Sequence, residues 1–356
     1  MISARPQKIQ NFLLAEIPDH PRDIVSVTAE TFNVTRTTVH RHLSKLIRSR
    51  EIIKSGTTNG ATYYLKSAVN KNLSFEIKPD LDENQIWMDC LAEPLSVLPD
   101  NVFGICEYSF GVIFNNVLEH SAGKTVRVLT AWKGDSLQID VVDDGLGIFR
   151  KLQATFNLAS EREGVLQLIK GRLTTDPQQH TGEGIFFASR LVDRFFIWSY
   201  DLSYYQDNIE HDWFIETRDT GLPGTGVSLL INRDCTRTLA EVFARYTTED
   251  AEGIPRFDRT HIMVELSRFG EERYVSRSQA KRLLLGLDKF KHVIMDFKNV
   301  RTVGQGFVDE VFRVFRNRHP EIKFKFINVT DDVQFMIERS LPDPVSHLGK
   351  NFLYHH

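Results

Sequence analysis

At 356 residues the chain is too long for one ordinary core, and two or three domains are expected; 41% hydrophobic and 26% charged residues exclude a disordered or fibrous chain. The net charge of −3 is unevenly placed: residues 1–67 hold ten Lys or Arg against five Asp or Glu, so a head of +5 precedes a body of −8, and only the head suits a polyanion. No apolar run approaches the ~18 residues of a membrane helix, residues 1–8 lack the apolar core of a secretory signal, and Cys90, Cys106 and Cys235 are odd in number and lack metal-ligand spacing. The expectation is a cytoplasmic chain with reduced thiols and no membrane contact.

In residues 7–17, Ile9, Phe12, Leu13 and Ile17 recur at helical spacing, and Pro18 and Pro21 end the pattern. A short second helix fits residues 24–32. Asn33-Val34 makes a turn, and Thr35 is a good N-cap for a third helix to about residue 50. On that helix Val39, Leu43, Leu46 and Ile47 share one face, while Arg36, Thr37, Thr38, His40, Arg41 and Lys45 share the other. Residues 51–54 and 61–65 alternate as strands, and the Asn59-Gly60 between them signals a hairpin. Helix, helix, helix, hairpin resembles the winged helix-turn-helix regulators. The resemblance assigns residues 1–67 to such a domain, with Thr35, Arg36, Thr37, Thr38, His40, Arg41, Lys45 and the hairpin's Lys54 facing double-stranded DNA. Winged helices also dock proteins; the positive charge on helix and hairpin favours phosphate contact.

Four segments punctuate the middle of the chain: Asn115-Asn116-Val117-Leu118-Glu119-His120-Ser121, Asp143-Asp144-Gly145-Leu146-Gly147-Ile148, Thr181-Gly182-Glu183-Gly184-Ile185 and Gly224-Thr225-Gly226-Val227. Residues 110–119 have an apolar helical face in Phe110, Ile113, Phe114 and Val117, and residues 136–142 alternate as a strand running into Asp143. Together the segments resemble the N, G1, G2 and terminal-threonine boxes of the GHKL ATP-binding fold. The resemblance implies an α/β sandwich over residues 83–235 with ATP and Mg²⁺ as ligands. It gives Asn116 the metal, Asp143 the adenine amino group, and Gly145 and Gly147 close backbone approach. Thr181, Gly182, Glu183 and Gly184 would cradle phosphates at a helix N-terminus, Thr225 would bridge to Asp143, and Asn115 and His120 would be secondary contacts, although His120 equally suits a core hydrogen bond. Asp144 reads as solvent-facing. Residues 150–180 read as a polar, mobile lid, with a helix over 165–173. Where ATP-hydrolysing relatives carry a general-base Glu, four residues before the metal Asn, this chain has Val112. Hydrolysis or transfer is therefore left open, and no helix with a phospho-accepting His precedes the site.

From residue 258 the pattern alternates strand and helix: strands near 262–266, 293–297 and 324–328, and helices near 276–290, 305–316 and 331–340. The phrases Ser276-Arg277-Ser278-Gln279-Ala280-Lys281-Arg282-Leu283 and Gly304-Gln305-Gly306-Phe307-Val308-Asp309-Glu310-Val311-Phe312 resemble a STAS-like domain of unknown function, an α/β sheet with helices, over residues 258–345. The loop before its second helix, Thr302-Val303-Gly304-Gln305-Gly306, has no Ser, so a phosphorylation switch is not supported there, and docking in cis or on a protein partner is the expected role. Asp309 and Glu310 read as a solvated helix surface. Residues 68–82 and 236–257 read as linkers and 346–356 as a tail.

The functional expectation is a transcriptional regulator, with a homodimer as one option, in which Mg-ATP biases the arrangement of a DNA-binding head. The alternatives are an anti-sigma-type Ser/Thr kinase acting on a partner and a slow ATPase clamp.

Overall fold

The structure is a computed structural model that describes residues 4–56, 61–172, 182–217, 221–249, 252–267 and 277–340. Three units follow one another along the chain. None of the described helices is long and apolar enough to cross a membrane.

The first unit comprises α1 (Ala4–Glu16), α2 (Ile24–Phe32), α3 (Arg36–Arg48) and the antiparallel pair β1 (Ile52–Ser55) and β2 (Thr62–Leu65). Asn33 ends α2 in the left-handed region at φ 48°, and Thr35 starts α3 by accepting the Thr38 N–H through Oγ1 at 3.2 Å. Ile9, Leu13, Ile24, Val39, Leu43, Leu46 and Tyr63 form a core of their own. The Asn59-Gly60 turn lies outside the described residues. A short α4 (Lys66–Val69) leaves this unit.

The second unit is built on a seven-stranded sheet in the order β3-β4-β5-β9-β6-β7-β8, with every neighbouring pair antiparallel. Its strands are β3 (Lys71–Glu76), β4 (Thr125–Lys133), β5 (Ser136–Asp143), β6 (Arg194–Ser199), β7 (Leu202–Asp207), β8 (Asp212–Thr217) and β9 (Thr225–Asn232). The short helices α5 (Glu83–Ile86) and α6 (Glu93–Leu95), with a π turn between them, lead to the long α7 (Asp100–His120). Then come α8 (Ile148–Phe156), α9 (Glu161–Lys170), α10 (Gly184–Leu191) and α11 (Leu239–Tyr246). Along β5, Leu137, Ile139, Val141 and Asp143 are buried while the residues between them are half-buried, as expected of a strand whose two faces differ.

Three expectations are corrected here. The stretch 68–82 is not only a linker: β3 pairs with β4 from Lys71↔Thr130 to Glu76↔Thr125. The stretch 236–257 carries α11 and the β10 (Thr247–Glu249) and β11 (Pro255–Phe257) hairpin, and Phe243 of α11 stacks on Phe187 at 4.1 Å. The lid region is not uniformly polar and open. It contains α8 and α9, and Glu163 through Lys170 are all buried, so the helix starts and ends earlier than 165–173. The residues 173–180 of the expected lid lie outside the described residues.

The third unit is a parallel sheet of β12 (Arg259–Met263), β13 (His292–Asp296) and β14 (Lys323–Ile327), in that order. Helices α12 (Arg277–Leu284), α13 (Gln305–Val308), α14 (Arg316–Arg318) and α15 (Asp331–Ser340) connect and flank the strands, with a π-helical stretch at Asp309–Phe315 joining α13 to α14. Asp309 and Glu310 are not a merely solvated surface. Arg277 reaches Asp309 at 2.6 Å and the buried Glu310 at 3.3 Å, and Arg313 also holds Asp309.

One continuous apolar core runs through the second and third units. At their junction Lys170, 2% exposed at the end of α9, donates through Nζ to the carbonyls of Leu285 at 2.9 Å and Arg282 at 3.2 Å, and Thr260 Oγ1 donates to its carbonyl. Arg172 donates to the Lys289 carbonyl and Lys289 Nζ to that of Arg172. The third unit thus packs against α9 of the second.

Candidate functional site

A cavity of about 240 Å³ opens between the C-terminal half of α7, the start of α8, the start of α10 and the ends of β5 and β9. Its walls include Asn115, Asn116, Glu119, His120, Asp143, Gly147, Gly182, Glu183, Gly184 and Thr225, with Val117, Val141, Ile148, Leu168, Ile185 and Ile197 as apolar surface. Residues more than a hundred positions apart are brought together because β5 and β9 are neighbours in the sheet and α7 crosses them. Val142↔Gly226 is the last registered pair before Asp143.

Asp143 is 4% exposed. Its Oδ1 accepts the N–H of Gly145 at 2.8 Å and of Thr225 at 3.3 Å, so Oδ2 is the oxygen left to face a ligand. Burial raises its pKa above the ordinary carboxylate value, and the two backbone N–H groups offset only part of that rise. Gly145 itself does not line the cavity: it stands behind Asp143, and a Cβ there would strike the Ser121 carbonyl. Gly147, at φ +84°, starts α8 against Ser199 and Tyr200, and a side chain would be both strained and crowded. Thr225 Oγ1 accepts the Ile148 N–H at 2.9 Å, linking β9 to α8 across the site.

Asp144 is exposed, as the sequence suggested, and it also makes structural bonds: Oδ1 accepts the N–H groups of Lys124 at 2.7 Å and Thr125 at 2.9 Å, and Oδ2 accepts the Thr125 hydroxyl at 2.9 Å. These bonds tie the turn after β5 to the start of β4. They act on Asp144 against the desolvation that raises its pKa, leaving the carboxyl lowered from its ordinary value.

On α7, Asn116 Nδ2 donates to the Val112 carbonyl at 2.6 Å, which commits the amide nitrogen to the helix and leaves Oδ1 as the acceptor end at the cavity. His120 is one turn further on, and Asn115 is tied to Glu119 at 3.1 Å. Among the described residues no cluster of three or more His, Cys, Asp or Glu could hold a metal unaided. A hard cation here would need a ligand's own oxygens beside the Asn116 amide oxygen, a donor set suited to magnesium. Val112 packs against the start of α10: a Cβ on Gly184 would lie 2.7 Å from Val112 Cγ1. Gly184 opens the eight-residue α10, with Gly182 and Glu183 ahead of it on the cavity wall. Thr181 lies outside the described residues.

The sequence reading missed Lys151, which lines the cavity from α8. It also missed the Arg150 guanidinium, which lies 3.3 Å over the Tyr200 ring and bonds Glu161 at 3.1 Å. The helical spacing of Ile148, Lys151 and Leu152 was the available signal.

In the first unit Thr35, Arg36, Thr37, His40, Arg41 and Lys45 are exposed and Thr38 and Lys54 half-buried, so α3 presents one polar face. Its other side buries His42, whose pKa is lowered by burial and then by Arg41 and Lys45. The hairpin is tied to the far end of the central sheet. Arg233, just after β9, donates to the Lys54 carbonyl, and Lys66 Nζ donates to the Gly134 carbonyl at 2.9 Å in the β4–β5 turn.

No curated protein matches the chain. Residues 279–334 match the family described as a STAS-like domain of unknown function, within the unit formed by β12, β13 and β14 and their helices. The chain therefore carries a C-terminal STAS-like domain over residues 279–334.

Proposed function

We propose that the chain is an ATP-responsive DNA-binding regulator, with a winged helix-turn-helix head, a GHKL-type nucleotide unit and the STAS-like domain packed behind it. The observation that carries the reading is Asp143, a buried carboxylate at the floor of a largely apolar cavity with one oxygen held by two backbone N–H groups. A carboxylate so placed accepts from the exocyclic amine of adenine and rejects guanine, whose carbonyl at that position would leave two acceptors facing each other.

The remaining roles follow from the walls. Thr225 holds α8 against β9 and keeps the Asp143 floor in place. The Asn116 amide oxygen is the protein's ligand for Mg²⁺, which when bound would neutralise phosphate charge. Gly182, Glu183 and Gly184 offer backbone amides at the start of α10. Val112 occupies the position of a general base with an apolar side chain pressed on Gly184, which supports sensing over turnover.

The route to the head is the sheet. β9 begins with Thr225 at the cavity and ends with Asn232 beside Arg233, which holds the hairpin, a span of about 25 Å at strand rise. The exposed polar face of α3 supplies the contacts to phosphates and base edges. Nucleotide can shift the head only by binding one arrangement more tightly than another.

The test is fluorescence anisotropy of the full-length chain on duplex DNA from its own upstream region, with and without Mg-ATP, beside calorimetry with Mg-ATP and Mg-GTP. The expected result is adenine-selective binding that changes DNA affinity, both lost in Asp143→Asn. Equal affinity for the two nucleotides, or DNA binding indifferent to ATP, refutes the corresponding half of the reading.

A further inference from the structure

Lys151 carries chemistry that neither the box residues nor the fold accounts for. It stands on α8 three residues after Ile148 and lines the cavity with Ile148 and Leu152. Its Nζ donates to the carbonyl of His120 at 2.9 Å. That carbonyl is in the last turn of α7, where the helix dipole favours a cation. Asn116 is one turn before His120, so the ammonium sits just beyond the metal-ligand position on the same side of the helix. Among the described residues lining the cavity Lys151 is the sole Lys or Arg, set against the carboxylates of Glu119, Asp143 and Glu183. A polyanion entering those walls needs a positive partner. An ammonium has three N–H groups, and the His120 carbonyl takes one of them. The group is half-buried, and burial lowers its pKa, so its charge has exchanged water for the cavity wall.

We propose that Lys151 is the cation that grips the polyphosphate of the bound nucleotide, and that it makes this site select nucleoside di- and triphosphates over nucleosides. The proposal rests on the adenine-nucleotide reading and adds the part of the ligand that Asp143 cannot recognise. The hydrogen bond to the His120 carbonyl fixes the ammonium at the cavity wall. When phosphate oxygens arrive, charge-assisted hydrogen bonds form with little rearrangement.

The experiment is calorimetry of the full-length chain against Mg-ATP, Mg-ADP and adenosine, for wild type, Lys151→Met and Lys151→Arg. Loss of one charge-assisted hydrogen bond predicts that Lys151→Met weakens ATP and ADP by about 10- to 100-fold and leaves adenosine unchanged. Lys151→Arg should retain most of the ATP affinity. Equal weakening of ATP and adenosine would assign Lys151 to packing α8 on α7 and overturn the proposal; unchanged ATP affinity would overturn it too. Circular dichroism verifies the fold, and Lys151→Gln, which keeps a donor for the His120 carbonyl, replaces the Met variant should that one fail to fold. If wild type binds none of the three compounds, the nucleotide reading falls and this inference with it. Wild-type binding with no phosphate selectivity lost in the variants overturns the inference alone.

Discussion

Lys170 makes the junction between α9 and the STAS-like domain sensitive to pH. Burial pushes its pKa from 10.5 down to about 7, with Glu163 partly opposing. Around it lie Glu163 on its own helix and Arg282 of α12, which approach each other to 3.6 Å. Between those two pKa values the unfolded chain binds a proton that the folded chain releases, so stability rises as pH rises. From pH 7 to 8.5 the protonation partition changes by about 16-fold, a gain of roughly 1.5 kcal/mol. The window stops at 8.5 because burial also pushes the Cys106 thiol up. Above pH 9 the folded chain then keeps a proton that the unfolded chain loses, which offsets the Lys170 gain and flattens the slope. The assay is urea unfolding at the two pH values, followed by tryptophan fluorescence; all four tryptophans, Trp87, Trp132, Trp198 and Trp213, belong to the central unit. Lys170→Met should abolish the gain. At pH 8.5 it should also lie about 1–3 kcal/mol below wild type, because the Arg282 and Leu285 carbonyls lose their donor. A pH dependence identical in wild type and Lys170→Met, or a wild type that weakens from pH 7 to 8.5, would refute the reasoning.

Gly226→Ala should cost about 2–3 kcal/mol in the same unfolding assay, since a Cβ there falls within the Trp198 ring on the neighbouring strand; an unchanged midpoint would show that β6 and β9 can separate freely. Arg41→Ala should weaken binding to all duplex sequences and lower the slope of log affinity against log salt by about 1, with ATP affinity unaltered. An unchanged slope would remove Arg41, and with it the exposed face of α3, from the phosphate contact.

Local chemistry was readable wherever it is carried by near neighbours. Thr35 caps α3 because a hydroxyl three residues before an N–H meets it as soon as the helix forms, and Asn33 turns the chain because its side chain tolerates the left-handed region. The four glycine- and asparagine-bearing segments could be picked out as candidates because the demand for backbone approach is written as residue type. Errors arose where a residue's meaning depends on what packs over it. The β3 strand has alternating half-buried and exposed positions and no continuous apolar run, so it resembled a linker until β4 supplied its partner. Glu310 read as a solvated helix surface because charged side chains usually are, and Lys170 fell in a stretch read as a polar lid; both are buried.

The order of the units, the polar face of α3, the candidate cavity residues and the STAS-like phrases were determined by sequence alone, since each depends on periodicity or residue type over a few turns. The tertiary structure alone decided that Lys151 meets the end of α7, that the exposed Asp144 staples the start of β4, and that α9 is shared between the cavity and the STAS-like domain. These contacts join segments twenty to more than a hundred residues apart, and only the antiparallel sheet and the burial of its apolar face bring such segments within hydrogen-bond distance.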